Sequence, residues 1–267
     1  MSEAPPPAPH SKRRLQRCLG PDGKTLIVAM DHLSRLGRGV RLREPARVLR
    51  EVAAAGADAV LLRPGPAARH AAELGRAGLI LSLGYDVPAH DWGVELALQL
   101  GADGVKVEAF PGSATCPDSR ALLAPLAARC TRWGMPLVAE MIPVSFEARD
   151  AHTPAHLADA ARLGADMGAD VVKTKFTGDS ESFAELVALA GVPVVVLGGS
   201  PPDERALFTA VRLALDAGAA GAAVGRRVWG SDRPGHLAGA LARLIHEDLD
   251  VERALAEATR TSAGPVR

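Results

Sequence analysis

GADVVKTKFTGDSESFAELVALAGVPVVVLGG, residues 168–199, reads as one strand–helix–strand unit. A continuous apolar run at 171–178 is followed by helical spacing at 182–191 and a second apolar run at 193–199. Continuous rather than alternating runs suit parallel strands buried on both faces. Gly191 closes the helical stretch with the residue that adopts a left-handed cap at least cost.

The same unit recurs on either side at the spacing of roughly 30 residues typical of such units. Apolar runs at 25–32, 59–65, 79–84, 104–110 and 136–143 precede it, and one at 221–230 follows. Segments of helical spacing lie between them. Eight strands and eight helices close into a barrel, whereas an open sheet usually has fewer strands and leaves two edges to protect. The predicted class is α/β, a (β/α)8 TIM barrel, with one domain over residues 21–267. The second and third units are short, so a tight bend or a missing helix is expected there. Gly56-Ala57-Asp58, Gly101-Ala102-Asp103 and Gly168-Ala169-Asp170 mark helix-to-strand turns on the bottom face and are assigned to stability. Residues 1–20 carry three consecutive prolines and the run Lys12-Arg13-Arg14, and are predicted to form a flexible arm.

Composition narrows the function classes. Lys plus Arg equals Asp plus Glu at 31 each, which gives no global attraction to nucleic acid or membrane. Aromatics make up 3%, so base-stacking platforms are not expected. Cys18, Cys116 and Cys130 are too scattered for a disulfide framework or a CxxC metal site, and no metal or cofactor is predicted. No apolar leader or membrane-spanning run is seen, and the cytoplasm is the expected compartment.

Active sites of such barrels lie at the C-terminal ends of the strands. The polar residues there are Asp31 and His32, Lys106 and Glu108, Glu140, Lys173 and Lys175, Gly198, Gly199 and Ser200, and Gly225, Arg226 and Arg227. Ionisable groups on apolar strands are costly unless paired or used. Lys173 and Lys175 are two apart on a strand and so share a face. If that face is the barrel interior, mutual repulsion and loss of water lower a lysine pKa and free its lone pair for attack on a carbonyl. If instead they pair with Glu108 and Glu140, they are structural ion pairs. The GGS turn at 198–200 and the Gly225-Arg226 turn stand where barrels commonly build phosphate sites. Asp31 suits a proton shuttle or a turn, and His32 is read as structural.

Taken together, VAMDH (28–32), GADVVKTKFTGD (168–179), VPVVVLGG (192–199), AGAAGAAVGRRVW (217–229) and IHEDLDVERAL (245–255) resemble the archaeal-type class I fructose-bisphosphate aldolases. Their relatives include heptulosonate synthases and an autoinducer-phosphate thiolase. The resemblance spans Leu15 to about Ala256. It implies a homo-oligomer such as a decamer and metal-free Schiff-base chemistry on a small phosphorylated keto substrate. It places the Schiff base on Lys173, the strand-1 aspartate on Asp31, and the phosphate turns on Gly198, Gly199, Gly225 and Arg226. The family's strand-5 Tyr-Pro-Arg-Gly is here Ile142-Pro143-Val144-Ser145, so its proton-shuttling tyrosine is absent. Glu140 and Glu108 are the candidate replacement acid/base. Lys173, Asp31, Glu140, Glu108 and Lys175 form the candidate catalytic set. Two other readings stay open: a coenzyme A-dependent acyl transferase like the thiolase, and a non-catalytic barrel that binds a phosphorylated metabolite.

Overall fold

A computed structural model describes residues 12–31, 44–84, 89–116, 118–199 and 201–259, with the backbone alone at 89–91. Eight parallel strands close in sequence order into a barrel. They are β1 (Thr25–Ala29), β2 (Ala59–Leu62), β3 (Gly78–Ser82), β4 (Gly104–Ala109), β5 (Leu137–Met141), β6 (Val171–Thr174), β7 (Val194–Leu197) and β8 (Gly221–Val224). The helices are α1 (Pro45–Ala54), α2 (Pro64–His70), α3 (Ala89–Gln99), α4 (Ser119–Trp133), α5 (Pro154–Asp166), α6 (Ser180–Ala190), α7 (Glu204–Asp216), α8 (Arg226–Trp229), α9 (Pro234–His246) and α10 (Val251–Thr259).

Alternation along each strand splits its apolar residues between two cores. Val28, Val60, Leu81, Val107, Val172 and Val196 pack in the larger cluster with the helices. Ile27, Leu61, Ile80, Val138, Val171 and Val195 form a second cluster. Both sides exclude water, and for this reason the strands read as unbroken apolar runs. Helix starts are fixed locally: Asp118, Thr153, Asp179 and Asp203 each accept a hydrogen bond from a first-turn N–H. Gly191 ends α6 in the left-handed conformation, as its place in the sequence implies.

The short second unit keeps a helix. Seven residues of α2 run into a 3-10 turn at Ala71–Leu74. The run at 221–230 is not one strand: β8 stops at Val224, Gly225 leaves the extended conformation, and Arg226–Trp229 turn into α8. Helices α8 and α10 are further elements beyond the eight expected.

Of the expected arm, residues 1–11 lie outside the described residues, but residues 12–20 are docked. Arg13–Arg17 form a 3-10 helix whose Leu15, together with Cys18, is buried in the cluster of Ile27, Ile80 and Val195. The three Gly-Ala-Asp turns explain the docking. Asp58, Asp103 and Asp170 each accept from the backbone N–H of a preceding strand, at Leu26 (2.7 Å), Leu79 (3.0 Å) and Leu137 (2.7 Å). Each also meets a cation: His246 on Asp58 (2.9 Å), Arg17 on Asp103 (2.9 Å) and Lys12 on Asp170 (2.7 Å). The basic segment thus supplies two of the three counter-charges on the barrel floor.

Candidate active site

The opposite end of the barrel holds a buried charge cluster. On β4, Lys106 and Glu108 are two apart; on β5 and β6, Glu140 and Lys173 are register partners, and Glu108 is the partner of Glu140 on its other side. Strand alternation therefore aims all four inward, joined by Asp31 just past β1. All five are nearly inaccessible, with Lys106 at 0% and Lys173 and Glu140 at 1% exposure.

Lys106 is the hub. Its Nζ lies 3.1 Å from Asp31 Oδ2, 2.8 Å from Glu108 Oε1 and 2.5 Å from Glu140 Oε2. Burial opposes its charge, but Asp31, Glu140 and Glu108 outweigh that and hold its pKa above the ordinary lysine range. Three carboxylates therefore hold Lys106 as a cation. Glu140 bridges the two amines, with Oε1 3.0 Å from Lys173 Nζ. Burial would raise the Glu140 pKa, yet Lys106 and Lys173 lower it, against a smaller opposing push from Asp31. The Ser82 hydroxyl donates to Asp31 Oδ2 at 2.8 Å. The Trp229 indole donates to Ala29 O at 3.0 Å and ties the β8–α8 turn to the end of β1.

Lys175 departs from expectation. Strand β6 ends at Thr174, and Lys175 is half-buried outside the interior cluster. Its Nζ donates to Phe146 O (3.2 Å) and to His152 Nδ1 (2.8 Å) in the β5–α5 loop. Its pKa is lowered by burial first, with Arg149 adding to the effect and Glu147 opposing it. Repulsion from Lys173 is not among the causes, because the second amine near Lys173 is Lys106, across Glu140. Of the predicted catalytic set, the structure thus gathers Asp31, Glu108, Glu140 and Lys173 and leaves Lys175 apart. Lys106, Ser82 and His152 were missing from that set. The first was legible in the pattern Lys106-Val107-Glu108, whose alternation puts both charges on one face.

The β7 and β8 turns frame a cavity of about 300 Å3 lined by Gly199, Pro201, Glu204, Arg226, Arg227 and Ser231. Gly199 has φ +59° with open space where a Cβ would stand. Gly198 acts differently from expectation: its N–H already donates to Ala223 O (2.9 Å), and a Cβ there would meet Val224 at 3.1–3.2 Å. Its contribution is close packing of the turn rather than a free donor. Gly225 precedes α8, and Ser200 and His32 lie outside the described residues. Burial drives the Cys18 and Cys130 thiols up to about 12, so neither is a nucleophile.

Comparison with known proteins agrees with the barrel fold. Residues 25–231 match the DeoC/LacD family aldolase. The chain is 38% identical over 253 residues to a 2-amino-3,7-dideoxy-D-threo-hept-6-ulosonate synthase of Halobacterium salinarum, covering 92% of this chain and 95% of that protein. It is 37% identical to a 2-amino-4,5-dihydroxy-6-oxo-7-(phosphonooxy)heptanoate synthase of Streptomyces griseus, covering 90% and 92%. Among solved structures, a Schiff-base-forming fructose-1,6-bisphosphate aldolase superposes with a TM-score of 0.77 at 31% identity, over 89% of this chain and 100% of that one. An archaeal fructose-1,6-bisphosphate aldolase, with its catalytic lysine covalently bound to the carbinolamine intermediate, gives 0.76 at 30% identity, over 88% and 99%.

Proposed function

The chain belongs to the DeoC/LacD family of aldolases, and on that premise we infer that Lys173 is the Schiff-base residue, with Glu140 as its acid/base partner. The protein is a class I aldolase that acts on phosphorylated keto-sugar-like substrates. The Streptomyces relative's name describes a ketone beside a phosphonooxy carbon, the arrangement that a Schiff-base lysine next to a phosphate pocket suits.

The 3.0 Å contact between Lys173 Nζ and Glu140 Oε1 carries this reading. Glu140 takes a proton from Lys173, the neutral amine attacks the keto carbon, and a second proton passes from the nitrogen to the carbonyl oxygen to give the carbinolamine hydroxyl. Glu140 returns that proton to the departing hydroxyl, water leaves, and a protonated Schiff base forms. A carboxylate then accepts the proton of the substrate's β-hydroxyl as the carbon–carbon bond breaks, and the bonding pair flows into the iminium to give the enamine. Run backward, the same steps form the bond. Three carboxylates and two ammoniums surround the reaction. Because the iminium keeps the charge of the ammonium it replaces, the electrostatic balance of the site is preserved and little reorganisation is needed. Gly199, Gly225 and Arg226 hold the phosphate, and that remote binding positions the carbonyl.

Borohydride trapping with dihydroxyacetone phosphate, followed by peptide mass spectrometry, tests the assignment. A reduced adduct on Lys173, absent from a folded Lys173→Met protein, is expected. An adduct on Lys106 or Lys175, or trapping by Lys173→Met, overturns it. The exposed Trp92 (38%) and Trp133 (44%) on α3 and α4 are apolar surface that an oligomer would cover. A homo-oligomer, such as the decamer the resemblance implies, should cover them, checked by light scattering.

A further inference from the structure

Three lysines stand at or near the catalytic end of the barrel, and two of them have carboxylates. Lys106 meets three and Lys173 meets one. Lys175 is different. Among the described residues its direct contacts are all neutral: the Phe146 carbonyl, the His152 ring and the Phe146 ring face, 6.0 Å away. The histidine is held in one tautomer. Its Nε2 lies 2.8 Å from Ser145 O, and a carbonyl only accepts, so Nε2 carries the hydrogen and Nδ1 offers its lone pair to Lys175. An ammonium has three donors, and these contacts use two of them.

The β5–α5 loop that receives this amine is held by its own contacts. Val144 is held at φ +63°, a costly conformation for a β-branched residue. Its N–H donates to Pro111 O at 2.9 Å, and the Ser145 hydroxyl accepts from the N–H groups of Glu147 and Ala148. Phe146 packs edge-on against Phe110, just past β4. The nearby charges, Glu147 and Arg149, are exposed and opposite in sign. A half-buried amine with only neutral direct partners, fixed above the strand that carries Lys173, is suited to take an anion as its counter-ion.

We propose that Lys175, oriented by His152 and Phe146, binds an acid group, carboxylate or phosphate, on the half of the substrate that is not held at the β7 and β8 turns. This rests on the aldolase reading above. It makes Lys175 a specificity-determining residue rather than a second nucleophile, and it predicts that the enzyme prefers acidic aldehydes.

The test uses the full chain with dihydroxyacetone phosphate as donor and three acceptors: glyceraldehyde 3-phosphate, succinic semialdehyde and uncharged glyceraldehyde. The wild type should favour an acidic acceptor in kcat/KM, and whichever of the two is favoured identifies the acid group. In Lys175→Gln that preference should fall ~10- to 100-fold, the range expected for one charge-assisted hydrogen bond. Lys175→Arg should restore part of it, while His152→Asn should lower it less than Lys175→Gln does. A wild type with no acidic preference overturns the proposal. So does a Lys175→Gln enzyme that loses activity equally on charged and uncharged acceptors, since that is how a merely structural staple behaves. Failure of the underlying aldolase reading is seen separately, as absence of a trapped adduct on Lys173.

Discussion

Glu140 is shared by two amines, and the consequences of changing any member of that trio differ in kind. Glu140→Gln removes the proton acceptor 3.0 Å from Lys173 but keeps the shape. Turnover should fall by ~10²- to 10⁴-fold, the usual worth of a positioned acid/base, with a slower approach to the trapped adduct. Lys106→Met is a stability lesion first. It removes the cation shared by Asp31, Glu108 and Glu140 in a nearly inaccessible interior, leaving Glu140 with Lys173 as its one remaining ammonium, and breaking a buried ion cluster from one side costs about 3–5 kcal/mol. Urea denaturation should show that loss, and the double variant Lys106→Met/Glu140→Gln should be less destabilised than Lys106→Met alone. Lys173→Met leaves Glu140 still paired with Lys106, so it should fold and yet give no adduct. Alternation on β4, β5 and β6 made these charges legible before any coordinates. That Lys106 is their common cation was not, because the strands that converge on it are far apart in sequence.

At the level of elements, the helix-to-strand turns do more than reverse the chain. Each Gly-Ala-Asp turn clasps the start of the preceding strand through a carboxylate and a backbone N–H. Asp103→Asn keeps the size but loses the charge-assisted bond to Leu79 and the pair with Arg17; it should cost about 1–3 kcal/mol in thermal or urea unfolding without changing KM. The seam where β8 meets β1 is tighter still. Gly221 has φ +148°, and a Cβ there would fall 1.9 Å from Thr25 O, so Gly221→Ala should fail to give soluble, folded barrel. On the catalytic side, Arg226→Ala should raise KM for a phosphorylated substrate by ~10-fold or more, with a smaller effect on kcat, if the β8 turn grips phosphate. The apolar run at 221–230 is expected to hold a strand and then the Gly225-Arg226 turn, with no helix inside it. Only the packing of Trp229 against Ala29 O shows why the chain turns helical at Arg226.

Across the whole molecule, closure of the barrel floor carries a pH dependence. His246, at the end of α9, bonds Asp22 and Asp58, both at 2.9 Å. The Asp58 bond, then burial in opposition, then Asp22, bring its pKa to about 9 from an ordinary 6.5. A raised folded-state pKa contributes stability that is complete below about 6.5 and is lost as pH rises through about 9. Wild type should therefore exceed His246→Gln in Tm by most near pH 6, with the gap closing by pH 9.5; a gap that widens with pH would contradict the assignment. The sequence by itself determined the barrel, since eight buried parallel strands write eight continuous apolar runs, and it determined which strand ends bear charge, since side chains alternate with period two. It also placed the Gly-Ala-Asp turns on the floor. Only the tertiary structure decided which charges pair. It put Lys106 at the centre of three carboxylates, moved Lys175 out to His152, and docked Lys12, Leu15 and Arg17 beneath a barrel they had no local reason to join. Period and turn chemistry act between neighbours in the chain and can be read from it. Ion pairing and plugging act between strands brought together by closure, and closure is a property of all eight units at once.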